Sequence, residues 1–184
     1  MAIVDAFQTL ENRNNITQVE QEGPYLCNRK DAWLGIGYYL WDTNIQCAKD
    51  WGEKAYIKRN KGYIIGKCKV DLSTCFDLFG NIKHQLEFKD ISELVVKHKL
   101  FKGKQIIVPN LIEYMKQKGI FDYKSIRSSD EKQPQEKDKI YFTCNKREHI
   151  SLNNRVQICV LDKENVIKSK FIIVFPDKRC NFAD

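Results

Sequence analysis

Two short stretches of this 184-residue chain hold residues whose types and spacing could do chemistry. The first is Gly35-Ile36-Gly37-Tyr38-Tyr39-Leu40-Trp41. A dinucleotide-binding turn needs a third glycine, and it follows a strand and opens a helix. Here Tyr-Tyr-Leu follows Gly37 and the glycines precede the strand, which excludes that turn. No GxxxxGK[ST] occurs, so a P-loop is excluded as well. What remains is a tight turn feeding two tyrosines into a strand, where Tyr38 and Tyr39 must face opposite sides. One can pack in the core while the other offers a flat ring to a planar ligand. The second stretch runs from Gln157 to Val166. Its Gln157 can donate and accept hydrogen bonds, yet it carries no charge and cannot act as a base.

Other titratable groups give weaker patterns. His84, His98 and His149 have no Cys/Asp arrangement beside them that suggests a triad, and no histidine precedes them. The seven cysteines (27, 47, 68, 75, 144, 159 and 180) are odd in number and contain no CxxC pair. Free thiols in a reducing cytoplasm, with no metal site, are expected. The formal charge of +7 is uneven: residues 1–50 hold seven acidic and four basic side chains, leaving the remainder at +10. The lysines are interleaved with acids, so a solvated surface explains the charge as well as a nucleic-acid face does. No apolar run reaches the eighteen or so residues of a membrane span, and the N-terminus lacks a leader pattern. The expectation is a soluble cytoplasmic protein with no membrane partner.

The company these residues keep points further. Gly-Ile-Gly-Tyr-Tyr-Leu, with Ala48 nine residues after Tyr39, resembles the second motif of the ADP-ribosyltransferases of the His-Tyr-Glu class. That class includes the poly(ADP-ribose) polymerases and diphtheria toxin. Tyr39 falls on the family's tyrosine, Cys47 on its serine and Ala48 on its alanine. Gln157, Asp162, Asn165 and Val166 reproduce the frame of the segment that carries the catalytic glutamate, with Gln157 in the glutamate's place. For the first motif the match is Phe7-Gln8-Thr9, with Gln8 replacing the histidine and Thr9 near the expected hydroxyl. The resemblance implies NAD as the bound cofactor and substrate. It implies a catalytic pair of Tyr39 and Gln157, Tyr39 stacking the nicotinamide and Gln157 holding ribose. Phe7, Gln8, Thr9, Gly37, Tyr38 and Cys47 would complete the NAD site, and the segment Asn145 to Asn154, with Lys146, Arg147 and Arg155, would favour an acidic acceptor. Arg127 is a candidate for the NAD diphosphate, beside the simpler reading of an ordinary strand arginine.

A glutamate in this family stabilises the positive charge that develops as nicotinamide leaves. Glutamine supplies no such charge, so the resemblance implies transfer of one ADP-ribose unit to a protein or nucleic-acid acceptor, as in a toxin or defence effector, or no catalysis at all. Two other readings stand beside it: a catalytically inactive binding module that kept the fold, and a basic nucleic-acid-binding domain.

Around these motifs the periodicity predicts strands at Ala2–Leu10, Tyr25–Cys27, Gly35–Trp41, Gly62–Val70, Cys75–Leu78, Ile126–Arg127, Lys139–Cys144, Arg155–Leu161 and Val166–Phe175. Helices are expected from a cap at Asp42 or Thr43 to about Glu53, with Ile45, Ala48 and Trp51-Gly52 on one face, and over Ile82–Leu100 and Asn110–Lys118. Ser128 to Lys139 is polar, contains Pro134 and reads as a mobile loop. Regular βαβ units are missing. A single α+β domain over residues 1–184 follows. The resemblance adds two packed β-sheets that form an NAD cleft with flanking helices.

Overall fold

A computed structural model of the chain describes residues 2–101, 105–130 and 136–176. It is a mixed α+β structure with five α-helices and nine strands among those residues. Strand β1 (Ile3–Glu11) is followed by helix α1 (Ile16–Glu22), β2 (Tyr38–Asp42) and α2 (Ile45–Ala55). Then come β3 (Tyr63–Asp71), β4 (Cys75–Asp77), α3 (Ile82–Lys97), α4 (Val108–Gln117) and β5 (Ser125–Ser129). The chain continues through β6 (Lys139–Tyr141), β7 (His149–Ser151), β8 (Val156–Val160), α5 (Lys163–Val166) and β9 (Ile172–Phe175).

Seven of these strands join edge to edge in the order β4-β5-β8-β2-β1-β3-β9, and β6 and β7 form a separate two-stranded ribbon. The expectation of two packed sheets is corrected here. Strand β2 bonds to β1 along one edge and to β8 along the other, so the strands of both motifs lie in a single sheet. Every pairing within the sheet is antiparallel except β4 with β5.

Alternation splits the apolar side chains of the sheet between its two faces. On one face Ala6, Leu40, Ile64, Ile158 and Val160 pack with Val19 of α1, Val166 of α5 and Phe171. The other face carries two clusters. Phe7, Trp41, Tyr63 and Ile65 pack under Cys47 and Ala48 of α2. Phe76, Ile126 and Cys159 pack under Ile112 and Met115 of α4, with Phe88 and Ile91 of α3 at the margin.

Several local expectations change. Helix α2 is capped by Asn44, whose side chain accepts the Gln46 N–H, and neither Asp42 nor Thr43 takes that role. Asp42 ends the strand and Thr43 adopts a left-handed φ of 57°, which delays the helix start. The buried face of α2 is Cys47, Ala48 and Gly52, while Trp51 is 37% exposed. Helix α1 lies where only a polar loop around Asn14-Asn15 is expected, held by the single buried residue Val19. Residues 163–166 form a turn of helix capped by Asp162, so the last strand starts at Ile172 and not at Val166. The loop expected over Ser128 to Lys139 is partly ordered structure. Ser128 and Ser129 pair with Gln157 and Val156, and Glu136–Asp138 is a 3-10 turn; residues 131–135 lie outside the described residues.

Cys47, Cys68, Cys75 and Cys159 are buried and free, Cys27 is half-buried and Cys144 is exposed; Cys180 lies outside the described residues. Burial pushes Cys68 and Cys159 up to about 12 and Cys75 up to about 11. The thiolate is the reacting form, so burial and the raised values both work against reaction of these thiols in the folded chain. Alkylation of the native protein at pH 8 followed by peptide mapping should therefore label Cys144 early, and Cys47, Cys68, Cys75 and Cys159 only after denaturation. Early labelling of Cys159 would contradict this packing.

Candidate functional site

The local sequence around the glycine pair folds for identifiable reasons. Gly35 has φ of +92°, a region that side chains with a Cβ rarely adopt. At Gly37 a Cβ would stand 2.4 Å from Cys159 Sγ and 2.8 Å from the Val160 carbonyl. The close approach that Gly37 permits is thus to strand β8, not to a ligand. It lets Tyr38, Tyr39, Leu40 and Trp41 pair in register with Val160, Cys159, Ile158 and Gln157.

That register, continued through the neighbouring strands, sets Ser128, Gln157, Trp41, Phe7 and Lys67 on one rung across β5, β8, β2, β1 and β3. The adjacent rung on the same face is Ile126, Cys159 and Tyr39. Gln157 therefore occupies a seam. Trp41 on one side of it belongs to the cluster under α2, and Cys159 two residues along belongs to the cluster under α4. Arg155, just before β8, lies over the Trp41 ring with its guanidinium carbon 4.8 Å from the centroid, and its Nε meets Asp130 at 3.2 Å.

Five of the site candidates from the sequence share this face. Tyr39, Gln157 and Phe7 are on the two rungs, Thr9 follows Phe7 at the next inward position of β1, and Cys47 packs down from α2. Tyr38 and Gln8 are on the opposite face. Tyr38 pairs with Val160, packs against the cluster of α1 and α5, and has Lys163 Nζ 5.4 Å from its ring centroid. Gln8 alternates with Ala6 and Leu10 of that same cluster.

The bonds of these residues separate structural from available groups. Gln8 Oε1 accepts the Tyr25 N–H at 2.7 Å, and its Nε2 donates to the Tyr25 carbonyl at 2.8 Å and the Tyr39 carbonyl at 3.3 Å. It is a clamp for the segment after Gly23-Pro24, and the histidine-like role expected for it is not served by this geometry. Thr9 Oγ1 donates to the Ala48 carbonyl at 2.7 Å and fastens α2 to β1. Tyr39 Oη accepts the Leu34 N–H and donates to the Gly35 carbonyl, both at 2.8 Å. Burial, with Cys159 beside it, pushes the Tyr39 phenol well above its usual value, so it remains protonated. Its ring packs against the cluster of Phe76, Ile126 and Cys159. Gln157 differs from these residues. Its Oε1 accepts the Trp33 indole N–H at 3.0 Å, and its Nε2 has no partner among the described residues.

Arg127 lies away from the seam. It pairs with Ile158 on the opposite face, where its Nε meets Asp42 at 2.7 Å and its Nη1 meets Asp77 at 3.1 Å. Burial works against its charge, and the two aspartates outweigh that and raise it above its ordinary value. A cation so engaged is committed to the sheet and has little left for a diphosphate. His84 is likewise structural: its Nδ1 accepts the Asp77 N–H at 2.9 Å and its ring packs on Phe76 and Tyr123. Among the described residues no group of three or more His, Cys, Asp or Glu is arranged to hold a metal ion. No helix among them is long and apolar enough to cross a membrane.

Sequence reasoning missed Trp33. The available signal was a tryptophan in the polar segment Arg29-Lys30-Asp31-Ala32-Trp33, just before the glycine pair, with an indole N–H that needs an acceptor when half-buried. It missed Ser128 because that residue sits in a stretch whose composition reads as loop.

The roles of Gln8 and Thr9 give a stability prediction. Gln8→Leu strands the N–H and the carbonyl of Tyr25, which should lower stability by about 2–4 kcal/mol, whereas Thr9→Val removes a second bond to a carbonyl that keeps its helical partner and should cost about 1 kcal/mol or less. Urea unfolding followed by tryptophan fluorescence checks both. An unchanged midpoint for Gln8→Leu would refute the clamp.

No family model, no curated protein and no solved structure matches this chain.

Proposed function

We propose that this chain binds NAD on the face that carries Tyr39, Trp41 and Gln157, and that it is a mono-ADP-ribosyltransferase-like protein. The observation that carries the reading is the shared face. Two motifs about 118 residues apart in sequence, each resembling one family's site, lie on adjacent strands with Tyr39 opposite Cys159 and Trp41 opposite Gln157. The donor set supports it. A partly exposed amide with one unengaged N–H pair, bonded by the Trp33 indole and standing opposite Trp41, suits an oxygen-rich planar ligand.

In this reading NAD supplies the labile bond between nicotinamide and ribose, and the chain supplies position. Gln157 Nε2 donates to an oxygen of the ligand, Tyr39 fixes the loop that borders it, and the clusters under α2 and α4 keep water from the two sides of the seam. The acceptor is a protein or nucleic-acid nucleophile, and a role as a toxin or defence effector in the cytoplasm is compatible with it.

A second reading is favoured by one bond. Trp33 occupies the amide oxygen of Gln157, so the group left facing the seam is a donor, which does nothing for a positive charge developing on a sugar. An NAD-binding module without transfer follows from that.

The two readings separate in one assay of nicotinamide release from NAD, run beside a binding titration. A transferase releases nicotinamide, and Tyr39→Ala and Gln157→Ala each lower the rate by about tenfold or more. Gln157→Glu, which restores a carboxylate, raises it. Binding without release in the wild type selects the module, and absence of binding at millimolar NAD rules out both.

A further inference from the structure

The segment between Cys27 and Gly37 is a closed loop with a defined base. Cys27 N–H bonds the Gly37 carbonyl at 2.9 Å, and Gly37 N–H returns the bond to the Cys27 carbonyl at 3.2 Å. Inside it, Ala32 N–H reaches the Arg29 carbonyl at 3.1 Å and Gly35 N–H reaches the Ala32 carbonyl at 3.0 Å. Leu34 is buried among Phe76, Ile112 and Cys159, and Tyr39 Oη grips the backbone on both sides of the Leu34–Gly35 bond. Trp33 is next to all of these anchors and packs half-buried against the same cluster. It is a held side chain, not a loose one.

We infer that Trp33 is a positioning residue for Gln157: its indole N–H fixes the amide so that Nε2 is the group offered to a ligand. An indole nitrogen only donates, so the atom it meets must be the amide oxygen, and the amide nitrogen must turn the other way. The polarity of the seam is thereby set by a residue 124 positions away in sequence. A ligand must present an acceptor oxygen there, such as a hydroxyl, a carbonyl or a phosphate oxygen, and a cation is disfavoured. Tyr39 acts in the same chain of contacts, because its hydroxyl seats the loop that carries Trp33. The two residues singled out by sequence, Tyr39 and Gln157, are thus coupled through a third.

The orientation of Gln157 stands on the hydrogen bond alone, whereas its use on NAD rests on the proposed function; the experiment keeps the two apart. The protein contains three tryptophans, and ¹⁵N-labelled protein gives one indole signal for each. The Trp33 signal is identified by its loss in Trp33→Phe. It should move upfield in Gln157→Leu, which offers no acceptor, and remain near its wild-type position in Gln157→Glu, whose carboxylate still accepts the bond. In parallel, Trp33→Phe should weaken NAD binding about three- to tenfold, the effect of losing one orienting hydrogen bond. A Trp33 signal indifferent to Gln157→Leu overturns the positioning, as does NAD affinity unchanged in Trp33→Phe. If the wild type binds no NAD, the NAD reading fails, and the indole signal still decides whether Trp33 orients Gln157.

Discussion

A β-strand presents only every second side chain to a given face, and in this protein the pairing of β2 between β1 and β8 turns that rule into the layout of the whole molecule. Because Trp41 stands opposite both Phe7 and Gln157, one face receives Phe7, Tyr39, Trp41 and Gln157, and the other receives Ala6, Tyr38, Leu40 and Ile158. A slip of one residue in either pairing would exchange these sets. It would turn Leu40 and Ile158 toward the face of Trp41 and Gln157, and turn Gln157 in among Ala6, Val160 and Val166 on the other. The cost of burying that amide among apolar side chains and of repacking both cores fixes the register, and the register fixes the candidate site.

The same face is covered at two places, with the half-buried Gln157 between them. Helix α2 covers one end of the sheet through Cys47 and Ala48, and α4 covers the other through Ile112 and Met115. Polar groups under these covers are paired because an unpaired buried group costs more than its bond returns. Thr9 is spent on the Ala48 carbonyl and the Tyr39 hydroxyl on Leu34 and Gly35. On the opposite face Gln8 is committed to Tyr25, and Arg127 to Asp42 and Asp77. Gln157 differs from these in that its amide oxygen is engaged by Trp33 while its amide nitrogen has no partner among the described residues.

Much of this was legible from local pattern. Strands β1, β3 and β8 stand close to where period-two alternation predicts them, since each carries apolar residues at alternate positions: Ala6 and Leu10, Ile64, Cys68 and Val70, and Val156, Ile158 and Val160. The α+β class followed from the absence of βαβ units. Helix α1 was hidden because seven residues with one buried position, Val19, leave no periodicity to read. The cap of α2 was misplaced because Asp42, Thr43 and Asn44 are all competent caps. Only the left-handed turn at Thr43, a consequence of strand pairing at Asp42, selects the third. For the site, alternation along β2 correctly required Tyr38 and Tyr39 to part company, but no local rule says which strand neighbours β2. The strand order is set by pairings over long separations, so the contact of Trp33 with Gln157 and the assignment of Gln8 to the far face were out of reach.

The central claim is that NAD is taken up on the Tyr39–Trp41–Gln157 face. It is tested most directly by titrating NAD into ¹⁵N-labelled protein and mapping the amide and indole shifts. The account predicts saturable changes concentrated at Trp33, Trp41, Ser128 and Gln157. Changes centred instead on Tyr38, Gln8 and Arg127 of the opposite face, or no change at millimolar NAD, would contradict it.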